Sequence, residues 1–169
     1  MDKWDGQAFF EMLALSSNQK VLEIGCGTGR LAFRVAPVVS SFFGIDISPK
    51  TVERAKKYLS FPNVTLICSD FLNYPFDTVF DLIYSSLTFM HIKEKRQAIE
   101  KIYSLLSPSG RFVLSIDKNQ SDILDYGTRS LKLYPDDPKK IHSILFSAGF
   151  SNIQTRETEF AYLFSAEKK

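Results

Sequence analysis

Between residues 20 and 30 the chain reads Lys-Val-Leu-Glu-Ile-Gly-Cys-Gly-Thr-Gly-Arg, an apolar run that stops on alternate glycines, Gly25, Gly27 and Gly29. Such a run is too short for a helix and reads as a buried strand. Glycines directly after it let the backbone turn tightly and let a ligand approach main-chain groups with no Cβ in the way. Residues 30–37 then carry Leu31, Ala32 and Val35 at helical spacing, and Pro37 closes the stretch. Strand, glycine turn and helix in that order make a ligand-binding corner of an open α/β sheet.

The rest of the chain repeats the alternation. Residues 6–16 place Phe9, Phe10, Met12 and Leu13 near one helical face, and Ser48-Pro49 opens a helix running to Tyr58. Residues 93–106 read as a further helix through Ala98, Ile102, Leu105 and Leu106. Short apolar runs at 41–45, 64–67, 80–84 and 111–116 read as strands, the last after a turn at Pro108-Ser109-Gly110. These runs are apolar on both faces, as in a parallel sheet covered by helices on each side. After Ile116 the pattern changes: a polar stretch with Leu131 and Leu133 suggests a short extra strand, and 138–148 is helical up to Gly149. Two runs at 152–157 and 160–166 lie so close together that only an antiparallel hairpin can join them.

Composition sets the outer limits. A length of 169 residues is one domain, and 44% hydrophobic with 24% charged residues excludes a disordered chain, a collagen-like repeat and a coiled coil. No apolar run approaches the roughly 18 residues of a membrane span. The first residues lack an apolar signal core, and Cys26 and Cys68 have no CxxC spacing, so a reduced, cytoplasmic setting is expected. A net charge of +2 is too mild to argue for nucleic acid. Nothing suggests a metal site, and oligomeric state stays open.

Three acids accompany the glycine turn. Glu23 precedes it, Asp46 follows the second strand and Asp70 follows the third, so all stand at carboxyl ends of successive strands, where open α/β sheets bind ligands. An acid at Asp46 can accept both hydroxyls of a ribose. Asp70 offers an acceptor for an exocyclic amine, and Phe71 an apolar face for a purine. Taken singly, each Asp also reads as a cap of the next turn. A nicotinamide-binding domain wants G-x-G-x-x-G around a pyrophosphate; here the spacing is G-x-G-x-G with an acid just before it. That carboxylate repels a pyrophosphate and suits a cofactor bearing an ammonium and a sulfonium.

In these residues, and in Gly44 to Ser48, Cys68 to Phe71, Phe80 to Ser85, Leu106 to Arg111 and the terminal hairpin, the chain resembles the class I S-adenosylmethionine-dependent methyltransferases. The resemblance implies a Rossmann-like three-layer α/β sandwich with a seven-stranded, mostly parallel sheet of order 3-2-1-4-5-7-6, strand 7 antiparallel. It implies S-adenosylmethionine as cofactor, its methionine end held by Glu23 and by the backbone of Gly25, Cys26 and Gly27, with Gly29 completing the motif. Asp46 then holds the ribose, Ile47 packs on the adenine, Asp70 accepts from its amino group, and Ser85 lines the methyl-transfer side.

A small-molecule acceptor is the expected partner. The Asn/Asp-Pro-Pro-Tyr/Phe signature of base amine methylation is missing, and neither cysteine suits cytosine C5 chemistry; both read as small apolar residues, Cys68 in a buried strand. The basic clusters Lys93–Arg96 and Lys139–Lys140 read as solvated helix faces, and His142 as a surface residue. Methyl transfer needs a base only when the nucleophile arrives protonated. His91, after the fourth strand, is the candidate base, against a plain role at the start of the next helix. Tyr84 is a candidate for the substrate pocket, against a packing role. The front segment, about 1–18, is expected to be a short or truncated cap of a single domain, 1–169. A non-catalytic S-adenosylmethionine-binding module, or regulatory partner, is therefore the alternative, and a nicotinamide oxidoreductase a third.

Overall fold

The computed structural model describes residues 4–128 and 130–169, so Arg129 and the first three residues of the front segment lie outside the described residues. The elements follow in the order α1 (Gly6–Leu13), β1 (Lys20–Ile24), α2 (Ala32–Val35), β2 (Ser41–Asp46), α3 (Pro49–Tyr58), β3 (Val64–Cys68) and β4 (Phe80–Ser86). After them come α4 (Lys95–Leu105), β5 (Leu106–Asp117), β6 (Ile123–Asp125), β7 (Ser130–Lys132), α5 (Pro138–Ser147), β8 (Phe150–Glu157) and β9 (Ala161–Lys168). Seven strands form one sheet in the order β3-β2-β1-β4-β5-β9-β8, while β6 and β7 pair separately. Counting the large sheet alone, this is 3-2-1-4-5-7-6. β1 to β5 run parallel and β9 runs against both β5 and β8.

Alternation along the strands assigns each residue to a layer. On β1, Val21 joins a core with Phe9 and Leu13 of α1 and Val35 of α2, while Leu22 and Ile24 join a core with Ile99 and Ile102 of α4 and Leu145 of α5. Glu23 follows Val21 onto the first face. On β4, Leu82 and Tyr84 share that face, and Ile83 faces α4.

Several boundaries depart from the expected ones for local reasons. α1 ends at Leu13 because Ala14 takes a left-handed conformation, φ 48°. The helix expected over 30–37 is a short α2 followed by a 3-10 turn, Ala36–Val38. The turn expected at Pro108-Ser109-Gly110 lies within β5, where Ser109 has φ 62° and the pairing with β4 slips register. Cys68 is exposed, not buried, because β3 is an edge strand. The extra strand expected near Leu131 is half of the β6–β7 hairpin.

That hairpin is strapped down from below. Tyr134 N donates to Met90 O at 2.7 Å, and Lys95 Nζ donates to the carbonyls of Phe89, Ile92 and Tyr134. The same ammonium pairs with Asp136 Oδ1 at 2.6 Å, the two side chains being 15% and 1% exposed. Removing one partner of a buried pair strands the other charge, at about 3 kcal/mol. Lys95→Met is expected to lower stability by about that amount, read as a fall in the urea midpoint.

Candidate functional site

Above the carboxyl ends of β1, β2 and β3 lies a cavity of about 560 Å3. Its walls bring together six residues singled out in the sequence: Gly25, Asp46, Ile47, Asp70, Phe71 and His91. The volume lies within the range of small-molecule and cofactor sites.

Asp46, the last residue of β2, is held from two sides. Its Oδ2 accepts from Gly27 N at 2.9 Å, and its Oδ1 from Ser48 N at 2.9 Å and Thr51 Oγ1 at 3.2 Å. A carboxylate has about four acceptor sites, so Oδ2 keeps one for a ligand hydroxyl. Asp70 accepts from Leu72 N at 3.0 Å and Asn73 Nδ2 at 2.5 Å, which fixes the turn after β3. Ile47 is 72% exposed on the cavity wall, an apolar side chain with little protein over it. Phe71 is buried at 6% exposure, backed by Phe76 at 6.1 Å.

The first amides of the glycine turn are bonded within the fold. Gly25 N and Cys26 N both donate to Ile45 O, at 2.8 and 3.1 Å, and Gly27 N is taken by Asp46. The N–H groups are therefore spent on binding the turn to β2. What the turn presents is a wall without side chains. A Cβ on Gly25, at φ +75°, would stand 2.2 Å from Thr88 Oγ1, and one on Gly27 would meet nothing within 4 Å. Gly29 lies behind the wall at φ +88°, against Leu59, and Cys26 is buried, its thiol pushed up by burial. Gly25→Ala is expected to cost about 2–4 kcal/mol through strain and overlap together, read as a lowered melting temperature.

Glu23, two residues before Gly25, is 3% exposed and stands beside the cavity without lining it. Burial pushes its carboxyl up to about 8, against the opposing pull of a hydrogen bond from Tyr84 and of the Arg30 charge. Arg30 is itself committed to Asp5, at 2.6 Å, and Asp5 also accepts from Ser86 Oγ at 2.6 Å and Gly6 N at 2.9 Å. Burial raises the Asp5 carboxyl, but the hydrogen bonds from Arg30 and Ser86 outweigh it and hold it below its usual value. Trp4 adds an indole hydrogen bond to Asp117 at 3.2 Å. The front segment is thus fastened across the carboxyl ends of β4 and β5.

Tyr84 and Ser85 stand elsewhere than expected. Tyr84, expected in the substrate pocket, is wholly buried on the α1 face, and Ser85, expected on the methyl-transfer side, is wholly buried with its Oγ donating to Ile24 O at 3.0 Å. Neither lines the cavity, because β4 is central and covered on both faces. The cavity lining past β4 is made instead by Leu87, Thr88 and Ile92. His91 closes a 3-10 turn, Phe89–His91, and its ring has no hydrogen-bond partner among the described residues. Burial holds its pKa below the ordinary value, so it is neutral at neutral pH. The lining also includes Tyr126, Leu131 and Lys132 of the strapped hairpin, which the sequence marked only as a polar stretch with a short extra strand near Leu131. Among the described residues no cluster of His, Cys, Asp and Glu could hold a metal ion.

This sheet order, with a side-chain-free turn and an acid at each of three successive strands, defines the class I S-adenosylmethionine-dependent methyltransferases. The chain belongs to the methyltransferase-domain family, whose model matches residues 15–158. It is 39% identical over 101 residues to an uncharacterised methyltransferase of Oceanobacillus iheyensis, covering 58% of this chain and 46% of that one. It is 36% identical over 104 residues to malonyl-[acyl-carrier protein] O-methyltransferase 1 of Ilyobacter polytropus, covering 60% of this chain and 39% of that one. The matched regions thus span less than half of these relatives' length. The fold is shared with an S-adenosylmethionine dependent methyltransferase structure from Mesorhizobium loti, with a TM-score of 0.81, 20% identity and 97% of each chain covered.

Proposed function

We propose that the chain transfers a methyl group from S-adenosylmethionine to a small molecule. The observation that carries this reading is the single cavity where Asp46 and Asp70 meet Gly25, Ile47 and Phe71. The donor set fits the cofactor: Asp46 keeps an acceptor for a ribose hydroxyl, Asp70 suits an exocyclic amine, and Ile47 and Phe71 offer apolar surface to a purine. Glu23, the acid just before Gly25, suits an ammonium group. When bound, S-adenosylmethionine supplies an activated sulfonium methyl.

The chain's own work is then alignment and exclusion of water. Leu87 and Ile92 on one side and Tyr126 and Leu131 on the other give the outer cavity apolar walls. His91, neutral and without a protein partner for its ring, takes a proton from an acceptor that arrives protonated. His91→Gln is expected to lower kcat about 100-fold while leaving cofactor affinity unchanged, checked by single-turnover transfer. Both cysteines are free thiols, which agrees with a cytoplasmic setting. No described helix is long and apolar enough to cross a membrane.

The test is calorimetric titration with S-adenosylmethionine, S-adenosylhomocysteine and NAD, followed by transfer of an isotope-labelled methyl group into a metabolite extract. Binding of the first two and labelling of a small molecule support the reading. Binding without any labelling points to a non-catalytic binding module, and binding of NAD alone overturns the cofactor assignment.

A further inference from the structure

Glu23 and Tyr84 are register partners in the parallel pair β1–β4, and both face the α1 layer. The Tyr84 ring is packed on all sides, with Phe9 edge-on at 6.0 Å, and Phe could fill that space equally well. What the hydroxyl adds is one bond, donated to Glu23 Oε2 at 3.1 Å. A buried hydroxyl is unfavourable unless it is bonded, so its presence in this core is explained by that contact. No other side-chain donor reaches Glu23 among the described residues, since the nearby Arg30 gives its short contact to Asp5.

We propose that Tyr84 is a positioning residue for the methionine end of the cofactor. Its hydroxyl occupies Oε2 and fixes the plane of the Glu23 carboxylate, leaving Oε1 as the acceptor for the ammonium group. The inference rests on the cofactor reading above and adds to it a residue that does not line the cavity.

The experiment compares Tyr84→Phe with the unaltered chain by titration with S-adenosylhomocysteine and with 5′-methylthioadenosine, which has the purine, ribose and sulfur but no amino-acid end. A positioning role lowers affinity for S-adenosylhomocysteine about tenfold and leaves affinity for methylthioadenosine unchanged. A merely structural role lowers both equally and overturns the proposal, as does a variant that loses neither. Glu23→Gln, alone and combined with Tyr84→Phe, supplies an independent check. Losses for S-adenosylhomocysteine that are less than additive support the coupling, and additive losses overturn it. An unaltered chain that binds neither ligand overturns the cofactor reading together with this one; normal binding that Tyr84→Phe leaves intact overturns this inference alone.

Discussion

Asp46→Ala is expected to lose S-adenosylhomocysteine affinity by about two orders of magnitude or more, measured by calorimetry. Hydrogen bonds to a charged group are worth about 1.5–3 kcal/mol each, and tenfold in affinity is about 1.4 kcal/mol. The substitution removes the acceptor proposed for the ribose. It also releases Gly27 N and Ser48 N, which the carboxylate holds at 2.9 Å each. The turn that shapes the cofactor side of the cavity therefore loosens along with the lost contact. Asp46→Asn separates the two effects: its carbonyl oxygen can still accept from one amide, so the turn suffers less while the charge is gone. A variant that binds S-adenosylhomocysteine as tightly as the unaltered chain would place the cofactor somewhere else.

The second large effect is a pH dependence with opposite signs for binding and for stability. Glu23 ionises near 8 in the free protein, because burial outweighs the hydrogen bond from Tyr84 and the charge of Arg30, with Asp46 and Asp5 adding to the rise. A ligand bearing an ammonium favours the ionised form. Affinity for S-adenosylhomocysteine is therefore expected to rise by up to about tenfold per pH unit below 8 and then level off. A proton is released on binding at neutral pH, read from calorimetry in buffers of different ionisation heat. Stability of the free chain runs the other way. Between the ordinary value of 4.5 and about 8 the folded chain holds a proton that the unfolded chain has lost. The contribution of Glu23 is therefore fully present below 4.5 and is lost as pH rises through 8. Glu23→Gln should remove both dependences, so the difference between the two chains isolates this carboxyl from every other titrating group.

The cavity wall shows how far the linear pattern reaches. Gly25, Asp46, Asp70 and Phe71 each stand just after an apolar run, and apolar runs covered on both faces form a parallel sheet whose carboxyl ends share one edge. Their meeting around one cavity follows from that rule. Ile47 and His91 also line it, because each directly follows a strand end or its exit turn. Tyr84 and Ser85 stand too early, before the end of β4 at Ser86: both are still inside the strand, where both faces are buried, and the wall passes to Leu87 and Thr88 instead. The exposed Cys68 shows the same limit, since a strand's own residues do not say whether it lies at an edge of the sheet.

Taken alone, the sequence determined most of the strands and helices, their alternation, the terminal hairpin and the acids at the strand ends. Each is a local property, carried by periodicity, by glycine and proline, and by position relative to a turn. Only the tertiary structure decided which partners those groups take. Asp5 meets Ser86 across 81 positions and Tyr84 meets Glu23 across 61, while Lys95 reaches Asp136 beneath a hairpin that carries little pattern of its own. Such pairs exist because two layers close on one sheet and leave buried polar groups that must find each other. A residue's own neighbours along the chain hold no record of that closure.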